Sequence, residues 1–333
     1  TLYGAFENLL DEIKDDERFR PDLVVYIGGH IVSKKLKSYL RSLKGVEQIR
    51  ISQEADIEDT FMHLTKVMDL PNSDAMSWLD NFGWHNQWED YRKLWMDALA
   101  KSYERKENFK PEFSSLATVK EFFSQLQKVE PQNFKAFTLG GKDAQDDGIY
   151  DRKFDTFLPG MMSSVFSGNS SAIRLMNLYA DRHVYCNRGV NGIEGSLSAA
   201  VGFSMCKNKS DKHVYSVLGD LSFFYDQNAL WNRNLNGKLR IIVLNNGGGA
   251  IFGKFQGLKE SQAREEMIMA KHHATAEGIC SQNEVKYLAA HTMEEMEQGI
   301  SQLIHAESER PMLLEVFTDM DVDNEMLEAI QKC

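Results

Sequence analysis

The chain has 333 residues, 42% of them hydrophobic and 26% charged, which is enough for two domains with full cores. Its net charge of −11 argues against nucleic-acid binding, because the chain has no basic surplus to neutralise phosphates. It has no apolar run as long as a membrane span and no signal peptide at its start, which favours a cytoplasmic protein. Its four cysteines show no paired spacing, which favours reduced thiols.

Residues 1–110 have the alternating pattern of an α/β domain, which we predict to be the first of two domains. Residues 1–19 follow the periodicity of an amphipathic helix, and residues 22–27 form an apolar strand that ends at Gly28-Gly29. A lysine-bearing helix and a polar strand near residues 46–51 come next. The glycine pair does not complete a dinucleotide-binding fingerprint, and we interpret the tryptophans farther along as packing residues.

Residues 111–333 form the second predicted domain, with a loop inserted at about residues 131–160. The insertion is rich in glycine and aspartate, and Asp143 with Asp147 faintly suggests a calcium-binding loop. Phe154 stands where the closing acidic ligand should be, so we interpret the stretch as a solvated hairpin or surface loop. A mobile flap over a site is the alternative.

Beyond residue 161 the chain alternates between apolar runs and helical patterns. Strands are predicted at residues 163–167, 184–186, 214–218, 239–244, 285–289 and 312–317. Helices are predicted at residues 114–129, 196–205, 262–271 and 293–306, and a further helix carries Arg174. We therefore predict the α/β fold class, with two domains, the second of them a mostly parallel doubly wound sheet.

The segment 214–252 reads as a βαβ unit with polar residues after each strand. Asp220 follows the first strand, and Asn245-Asn246 with three glycines follows the second. A carboxylate, an amide oxygen and an unobstructed backbone carbonyl suit Mg²⁺, and a diphosphate would supply the missing negative charge. The alternative is that Asp220 only caps a helix and that Asn245-Asn246-Gly247 is only a turn.

This pairing of GD with NN resembles the thiamine-diphosphate motif. The loops GNSSAIR, NRGVNGIEG, GDLSFFYDQNAL and NNGGGAIF together are similar to the SEPHCHC synthase family, the thiamine-diphosphate enzymes of menaquinone biosynthesis. The likeness covers residues 161–252 and extends more weakly to GGHIVSKKLKSYL in the first region. It implies a central domain and a diphosphate-binding domain, and a reaction that joins decarboxylated 2-oxoglutarate to isochorismate.

The resemblance also implies roles for individual residues. Asp220 and Asn246 would bind Mg²⁺ or Mn²⁺ through their side chains, and Gly248 would bind it through its carbonyl. The other expected cofactor contacts are Ile193, Gly219, Leu221, Ser222 and Ile251. The expected substrate contacts are Ser170, Arg174, Arg188, Lys34 and Phe252.

The chemistry of the arginines supports a dicarboxylate substrate. Because 2-oxoglutarate carries two carboxylates, the guanidinium forks of Arg174 and Arg188 suit it better than pyruvate. The alternatives are ordinary surface ion pairs for both arginines and core packing for Ile193. We interpret His272-His273 as structural, because adjacent histidines on a helix point apart.

The family's activating glutamate belongs to a pyrimidine-binding domain that has no counterpart among these residues. We therefore assign no catalytic residue and expect this chain to be an inactive part of a longer homodimeric or tetrameric enzyme. Two other functions remain open: another thiamine-diphosphate 2-oxoacid decarboxylase or ligase of the acetolactate synthase type, and a non-catalytic diphosphate-binding module.

Overall fold

A computed structural model of the chain describes residues 5–29, 31–53, 57–81, 89–130, 162–206, 212–254 and 260–332. The predicted insertion at 131–160 lies outside these residues. The chain divides into two compact units, with the boundary between Phe109 and Lys110.

The first unit contains a three-stranded parallel sheet in the order β1-β2-β3. Its strands are β1 (Leu23–Ile27), β2 (Glu47–Ser52) and β3 (Lys66–Asp69). Its helices are α1 (Ala5–Ile13), α2 (Lys34–Ser42), α3 (Asn72–Asp80) and α4 (Glu89–Asn108). A short 3₁₀ helix, Glu17–Phe19, follows α1 and accounts for the end of the predicted helix at residues 1–19.

Apolar side chains from these helices and strands form two cores. One core includes Leu9, Phe19 and Leu43, and Trp95 packs against it with its ring 5.3 Å from that of Phe19. The other includes Ile49 and Ile51, with Trp78 against it. Trp78 and Trp95 therefore have packing roles, whereas Trp84 and Trp88 lie outside the described residues.

The second unit contains a parallel sheet of six described strands in the order β5-β4-β6-β7-β9-β8. The strands are β4 (Ser164–Ser167), β5 (Val184–Cys186), β6 (Val214–Gly219), β7 (Leu239–Asn245), β8 (Lys286–Ala290) and β9 (Met312–Phe317). Every residue of β7 is buried, which explains why its sequence is a continuous apolar run rather than an alternating one.

Helices cover both faces of this sheet. They are α5 (Ser115–Val129), α6 (Ser171–Tyr179), α7 (Ser196–Met205), α8 (Asp220–Tyr225), α9 (Glu277–Gln282), α10 (Met293–His305) and α11 (Met320–Lys332). Leu197 and Phe223 belong to one core with Leu218 and Ile241, whereas Phe122 contacts Tyr215 on the opposite face. The predicted α/β fold with a doubly wound parallel sheet is confirmed.

Two predicted helices differ from the structure. The helix that joins β6 to β7 has only the six residues of α8 and continues as a 3₁₀ helix, Gln227–Trp231. The helix predicted at residues 262–271 is reduced to one π-helical turn, Arg264–Ile268. Beyond this turn the backbone of Met269 and His272 hydrogen-bonds to the glycines after β7, which redirects the chain.

None of the helices in the described part of the chain is both long and apolar enough to cross a membrane.

A buried ion pair fixes the junction before β4. The Glu130 carboxylate lies 2.9 Å from Arg182 Nη1 and accepts hydrogen bonds from both the backbone and the side chain of Ser163. Burial alone would raise the pKa of Glu130, but the Ser163 hydrogen bonds, Lys212 and Arg182 outweigh it and hold the pKa below its ordinary value of 4.5. Glu130 therefore stabilises the fold at pH values above 4.5, and this stabilisation is lost as the pH falls through the lowered pKa.

We predict that Glu130→Gln lowers the free energy of unfolding at pH 7 by about 3 kcal/mol, because it leaves the Arg182 guanidinium with less compensation. The difference from the wild type should shrink below pH 4.5, where the wild-type carboxylate also becomes neutral. Urea unfolding measured from pH 3 to pH 8 checks this, with Glu297→Gln on the exposed face of α10 as the matched control. A pH-independent difference would contradict the prediction.

Candidate functional site

The polar residues predicted after β6 and β7 lie at one edge of the sheet. The two strands are adjacent and parallel, and Gly219 at the end of β6 is in register with Leu244 near the end of β7. Asp220 and Asn246 therefore begin the loops that leave neighbouring strands on the same side. This is the edge at which open parallel sheets bind ligands.

Asp220 joins the two loops. Its side chain is buried, one carboxylate oxygen accepts the Leu221 N–H at 2.6 Å, and the other accepts the Gly248 N–H at 2.9 Å. The cap position of α8 is occupied by Gly219, not by Asp220. The carboxylate thus links the two strand ends, which a simple helix cap would not do.

Asn246 has one satisfied and one unsatisfied amide atom. Its Nδ2 donates to Asp323 Oδ2 at 2.8 Å. Its Oδ1 is buried and accepts no hydrogen bond from the part of the chain that the structure describes. An unpaired buried acceptor costs about 1–3 kcal/mol. An oxygen with a free lone pair beside the Asp220 loop fits a metal ligand.

The glycines after β7 approach another stretch of backbone closely. Gly247 and Gly248 have positive φ angles of 79° and 151°. A Cβ atom at Gly248 would lie 2.6 Å from the Met269 carbonyl oxygen, which itself accepts the Gly249 N–H at 2.6 Å. The Gly248 carbonyl accepts the Ala250 N–H at 3.1 Å and keeps a second lone pair for another partner.

His272 also lies at this edge. Its Nε2 is 3.4 Å from Asp220 Oδ2, and its ring makes an edge contact with Phe224. The Asp220 carboxylate raises the pKa of His272, and burial opposes the rise. The segment is not helical here, so the assumption that made His272 merely structural does not hold.

A cavity of about 360 Å³ opens beside the glycines, where β7 and β9 end. Asn246, Gly247 and His272 contribute to its wall, together with Arg264 and Thr318. The predicted substrate arginines follow β4 and β5, Arg174 on helix α6 and Arg188 in a loop, on the other side of β6 in the sheet. The cavity therefore borders the candidate metal ligands from the side away from those arginines.

The loops after β4 and β5 are held together by Asn169, which the sequence did not single out. The buried Asn169 side chain donates to the carbonyls of Asn187 and Gly192, and its Oδ1 accepts from Arg188 Nη1 at 2.9 Å. Arg188 Nη1 also donates to Asn191 Oδ1 at 2.6 Å. The described partners of Arg188 are thus neutral amides, and its buried Nε has no partner among the described residues.

Ser170 and Arg174 lie at the start of α6. Ser170 has a φ of 65°, which is strained for a residue other than glycine. Arg174, one turn later, donates from Nη1 to the Ser170 carbonyl at 3.0 Å. Strained backbone of this kind concentrates at binding sites, and here it coincides with a residue expected to contact substrate.

The remaining predicted contacts occupy less defined positions. Ile193 is half-buried in the loop before α7, and Ile251 and Phe252 lie in the 3₁₀ turn Ala250–Lys254. Leu221 and the buried Ser222 are in the first turn of α8. Lys34 is exposed at the start of α2 in the first unit.

Metal ligation at this edge would depend on neutral oxygens as much as on charge. Among the described residues, no group of three or more His, Cys, Asp and Glu side chains is arranged to hold a metal ion. Asp220 is the one carboxylate among the predicted ligands. Additional negative charge would have to come from a bound group such as a diphosphate.

The second unit is similar to a known protein family. Residues 167–316 match the family described as thiamine pyrophosphate enzyme, C-terminal TPP binding domain. The match includes the loops after β4, β5, β6 and β7.

The chain is also similar to curated proteins named 2-succinyl-5-enolpyruvyl-6-hydroxy-3-cyclohexene-1-carboxylate synthase, or SEPHCHC synthase. It is 32% identical to the protein from Phocaeicola vulgatus over 93% of this chain and 49% of the relative. It is 32% identical to that from Bacteroides thetaiotaomicron over 92% of this chain and 49% of the relative. For Christiangramia forsetii the identity is 32%, over 98% of this chain and 51% of the relative.

The resemblance inferred from the loop sequences is therefore confirmed. The chain spans about half the length of the curated relatives that it matches.

The close approach at Gly248 leads to a stability prediction. Gly248→Ala should lower the free energy of unfolding by about 2–3 kcal/mol, because the new Cβ meets a backbone oxygen and the φ angle disfavours alanine. Gly202→Ala is the control, since Gly202 is exposed on helix α7 with open space around it, and this substitution should be neutral or stabilising. Urea unfolding of both variants measures the difference, and equal stabilities would contradict the strained glycine.

Proposed function

We propose that this chain forms the central and diphosphate-binding parts of a SEPHCHC synthase. It is similar to such synthases over more than nine-tenths of its length, and part of it matches a TPP-binding domain. The full-length enzyme would decarboxylate 2-oxoglutarate and add the succinyl semialdehyde unit to isochorismate. It would act in the cytoplasm, in menaquinone biosynthesis, as a homodimer or homotetramer. The observation that carries the proposal is the meeting of Asp220 and the Asn246 loop at one sheet edge.

The residues at this edge fit a divalent cation that carries a diphosphate. Asp220 and Asn246 would bind Mg²⁺ or Mn²⁺ through their side-chain oxygens, and Gly248 would do so through its carbonyl. Asn246 Oδ1 supports this role because it is buried without a described partner. Gly219 would let the diphosphate approach the backbone, since the space beside its Cα is open: a Cβ added there would meet none of the described atoms within 4 Å.

The backbone amides at the start of α8 would bind the diphosphate oxygens. Ser222 offers its N–H in this turn, whereas the Leu221 N–H already donates to Asp220 and would be shared with the cofactor. Because α8 has only six residues, we assign the attraction to individual N–H groups rather than to a helix dipole. Ile193 and Ile251 would contact the rings of the cofactor. Thiamine diphosphate, when bound, supplies the electron sink that loss of carbon dioxide from a 2-oxoacid requires.

Substrate carboxylates would bind on the β4–β5 side of the edge. Arg174 and Arg188 offer guanidinium groups there, and Ser170 a hydroxyl. Two guanidiniums favour the dicarboxylate 2-oxoglutarate over pyruvate, and hence a SEPHCHC synthase over an enzyme of the acetolactate synthase type. Phe252 would line the pocket, and Lys34 would lie near bound isochorismate.

No residue of this chain is proposed as the activating acid. Asp220 is committed to the metal, and an activating glutamate is expected in the half of the relatives that the chain does not match. The proposed chemistry of this half is therefore binding and orientation, with the proton-transfer group supplied from elsewhere.

The test is turnover by the full-length protein that contains this chain. With thiamine diphosphate and Mg²⁺, it should transfer the succinyl semialdehyde unit from 2-oxoglutarate to isochorismate. Preference for pyruvate would favour the acetolactate synthase type instead. Cofactor binding without turnover of either substrate would favour a non-catalytic module.

Asp220→Asn should weaken Mn²⁺ binding in the presence of thiamine diphosphate by at least about tenfold, because it removes the carboxylate proposed as a metal ligand. Binding can be measured from the free Mn²⁺ signal in electron paramagnetic resonance. Asp226→Asn is the matched control: Asp226 is a buried aspartate at the end of the same helix, and its carboxylate accepts from Ser198. Equal Mn²⁺ affinities in wild type and Asp220→Asn would reject the assignment.

Arg174→Ala should raise the KM for 2-oxoglutarate by about 10- to 100-fold, the worth of a charge-assisted hydrogen bond, with little change in cofactor affinity. Arg174→Lys should give an intermediate KM, since it keeps the charge but not the fork. Steady-state kinetics of the full-length enzyme measures both. An unchanged KM in both variants would remove Arg174 from the substrate site.

A further inference from the structure

Asp323 holds the Asn246 amide from the far end of the chain. It lies near the start of α11, 77 residues from Asn246, and accepts the Asn246 Nδ2–H at 2.8 Å. The same carboxylate accepts from the backbone N–H of Ser115 at 2.7 Å, from Ser115 Oγ at 2.6 Å and from Thr318 Oγ1 at 3.1 Å. The position of the carboxylate is therefore fixed by α5 and the end of β9, independently of the loop after β7.

This contact decides which way the asparagine faces. An ionised carboxylate only accepts hydrogen bonds, so it pairs with the NH₂ end of an amide and repels the carbonyl end. With Nδ2 held at Asp323, Oδ1 must point the other way. That oxygen is the buried acceptor without a described partner.

The first asparagine of the pair has a different carboxylate. Asn245 Nδ2 donates to the fully buried Glu315 at 2.7 Å, and Asn245 Oδ1 accepts the Gly247 N–H at 3.1 Å. Glu315 also accepts from Tyr287 Oη and from the Ala276 N–H. Both amide ends of Asn245 thus have partners, Oδ1 in the turn and Nδ2 on β9. Asn246 uses only its NH₂ end, and its oxygen has no partner among the described residues.

We propose that Asp323 is a positioning residue for the metal site: it fixes the Asn246 amide so that Oδ1, and not the NH₂ group, faces the cation. The inference rests on the proposed function, because it presupposes that Asn246 is a ligand. Asp323 itself does not bind the metal. Residues that orient metal ligands in this way typically change metal affinity 10- to 100-fold when they are replaced.

Asp323→Asn tests the orientation with almost no change of shape. The new amide would keep its oxygen on the Ser115 N–H and turn its NH₂ to Asn246, with the Ser115 and Thr318 hydroxyls reoriented. Asn246 would then rotate to accept that hydrogen bond and present its own NH₂ to the cation. We expect the Kd for Mn²⁺, measured by electron paramagnetic resonance on the full-length protein with thiamine diphosphate, to rise at least about tenfold.

The double variant Asn246→Asp with Asp323→Asn restores the pairing in reverse. The amide of residue 323 can donate to the introduced carboxylate, whose second oxygen faces the cation. Mn²⁺ affinity should return to within about threefold of the wild type or become tighter. If Asp323→Asn alone fails to fold, the double variant carries the test, and a folded double variant without Mn²⁺ affinity would overturn the proposal.

Ser115→Ala separates positioning from general support. It removes one donor to Asp323 while the Ser115 N–H remains, so the Kd should stay within about threefold of the wild type. If Ser115→Ala weakened Mn²⁺ binding as much as Asp323→Asn does, Asp323 would have only a structural role, and the inference would be overturned.

Asp220→Asn in the same assay distinguishes the positioning role of Asp323 from the proposed metal site. If it weakens Mn²⁺ binding and Asp323→Asn does not, only the positioning role fails, whereas no effect of Asp220→Asn removes the metal site itself.

Discussion

The hydrogen bond from the Gly248 N–H to the Asp220 carboxylate ties together the two loops on which the site depends. Parallel pairing of β6 with β7 brings these loops to one edge, but pairing alone does not set the spacing between them. The carboxylate does so by accepting one backbone N–H from each loop. A single side chain thereby converts two strand ends into one binding surface.

Three acidic side chains contact the end of β7 and the loop after it. Asp220 and Glu315 are buried, and Asp323 is partly buried nearby, with desolvation raising its pKa against the hydrogen bonds from Asn246, Ser115 and Thr318. His272 is the cation-forming group that the structure brings nearest to Asp220. A divalent ion, bound as proposed, would neutralise the Asp220 carboxylate more completely than one imidazole can, and its remaining positive charge would attract the diphosphate.

The local sequence was sufficient to predict most helices and strands, but it could not predict contacts between residues far apart in the chain. Strand β9 and helix α7 have the predicted bounds, because each is an apolar pattern that begins directly after a residue that interrupts it, Pro311 and Gly195 respectively. The helix predicted at residues 262–271 was wrong beyond one turn, since backbone bonds to the glycines after β7 override its helical periodicity. Asp323 could not be found from local pattern, because its partner Asn246 is 77 residues away and its own helix was not predicted.

The segment that crosses the glycines is attached through main-chain atoms. Met269 and His272 use a carbonyl and an amide, respectively, to bond Gly249 and Gly247. Such bonds depend on the path of the backbone and do not require particular side chains at most positions. The exposed Met267 beside them can therefore be exchanged without altering that path. Sequence divergence in this crossing segment can change the character of the neighbouring cavity wall while the geometry beneath it stays fixed.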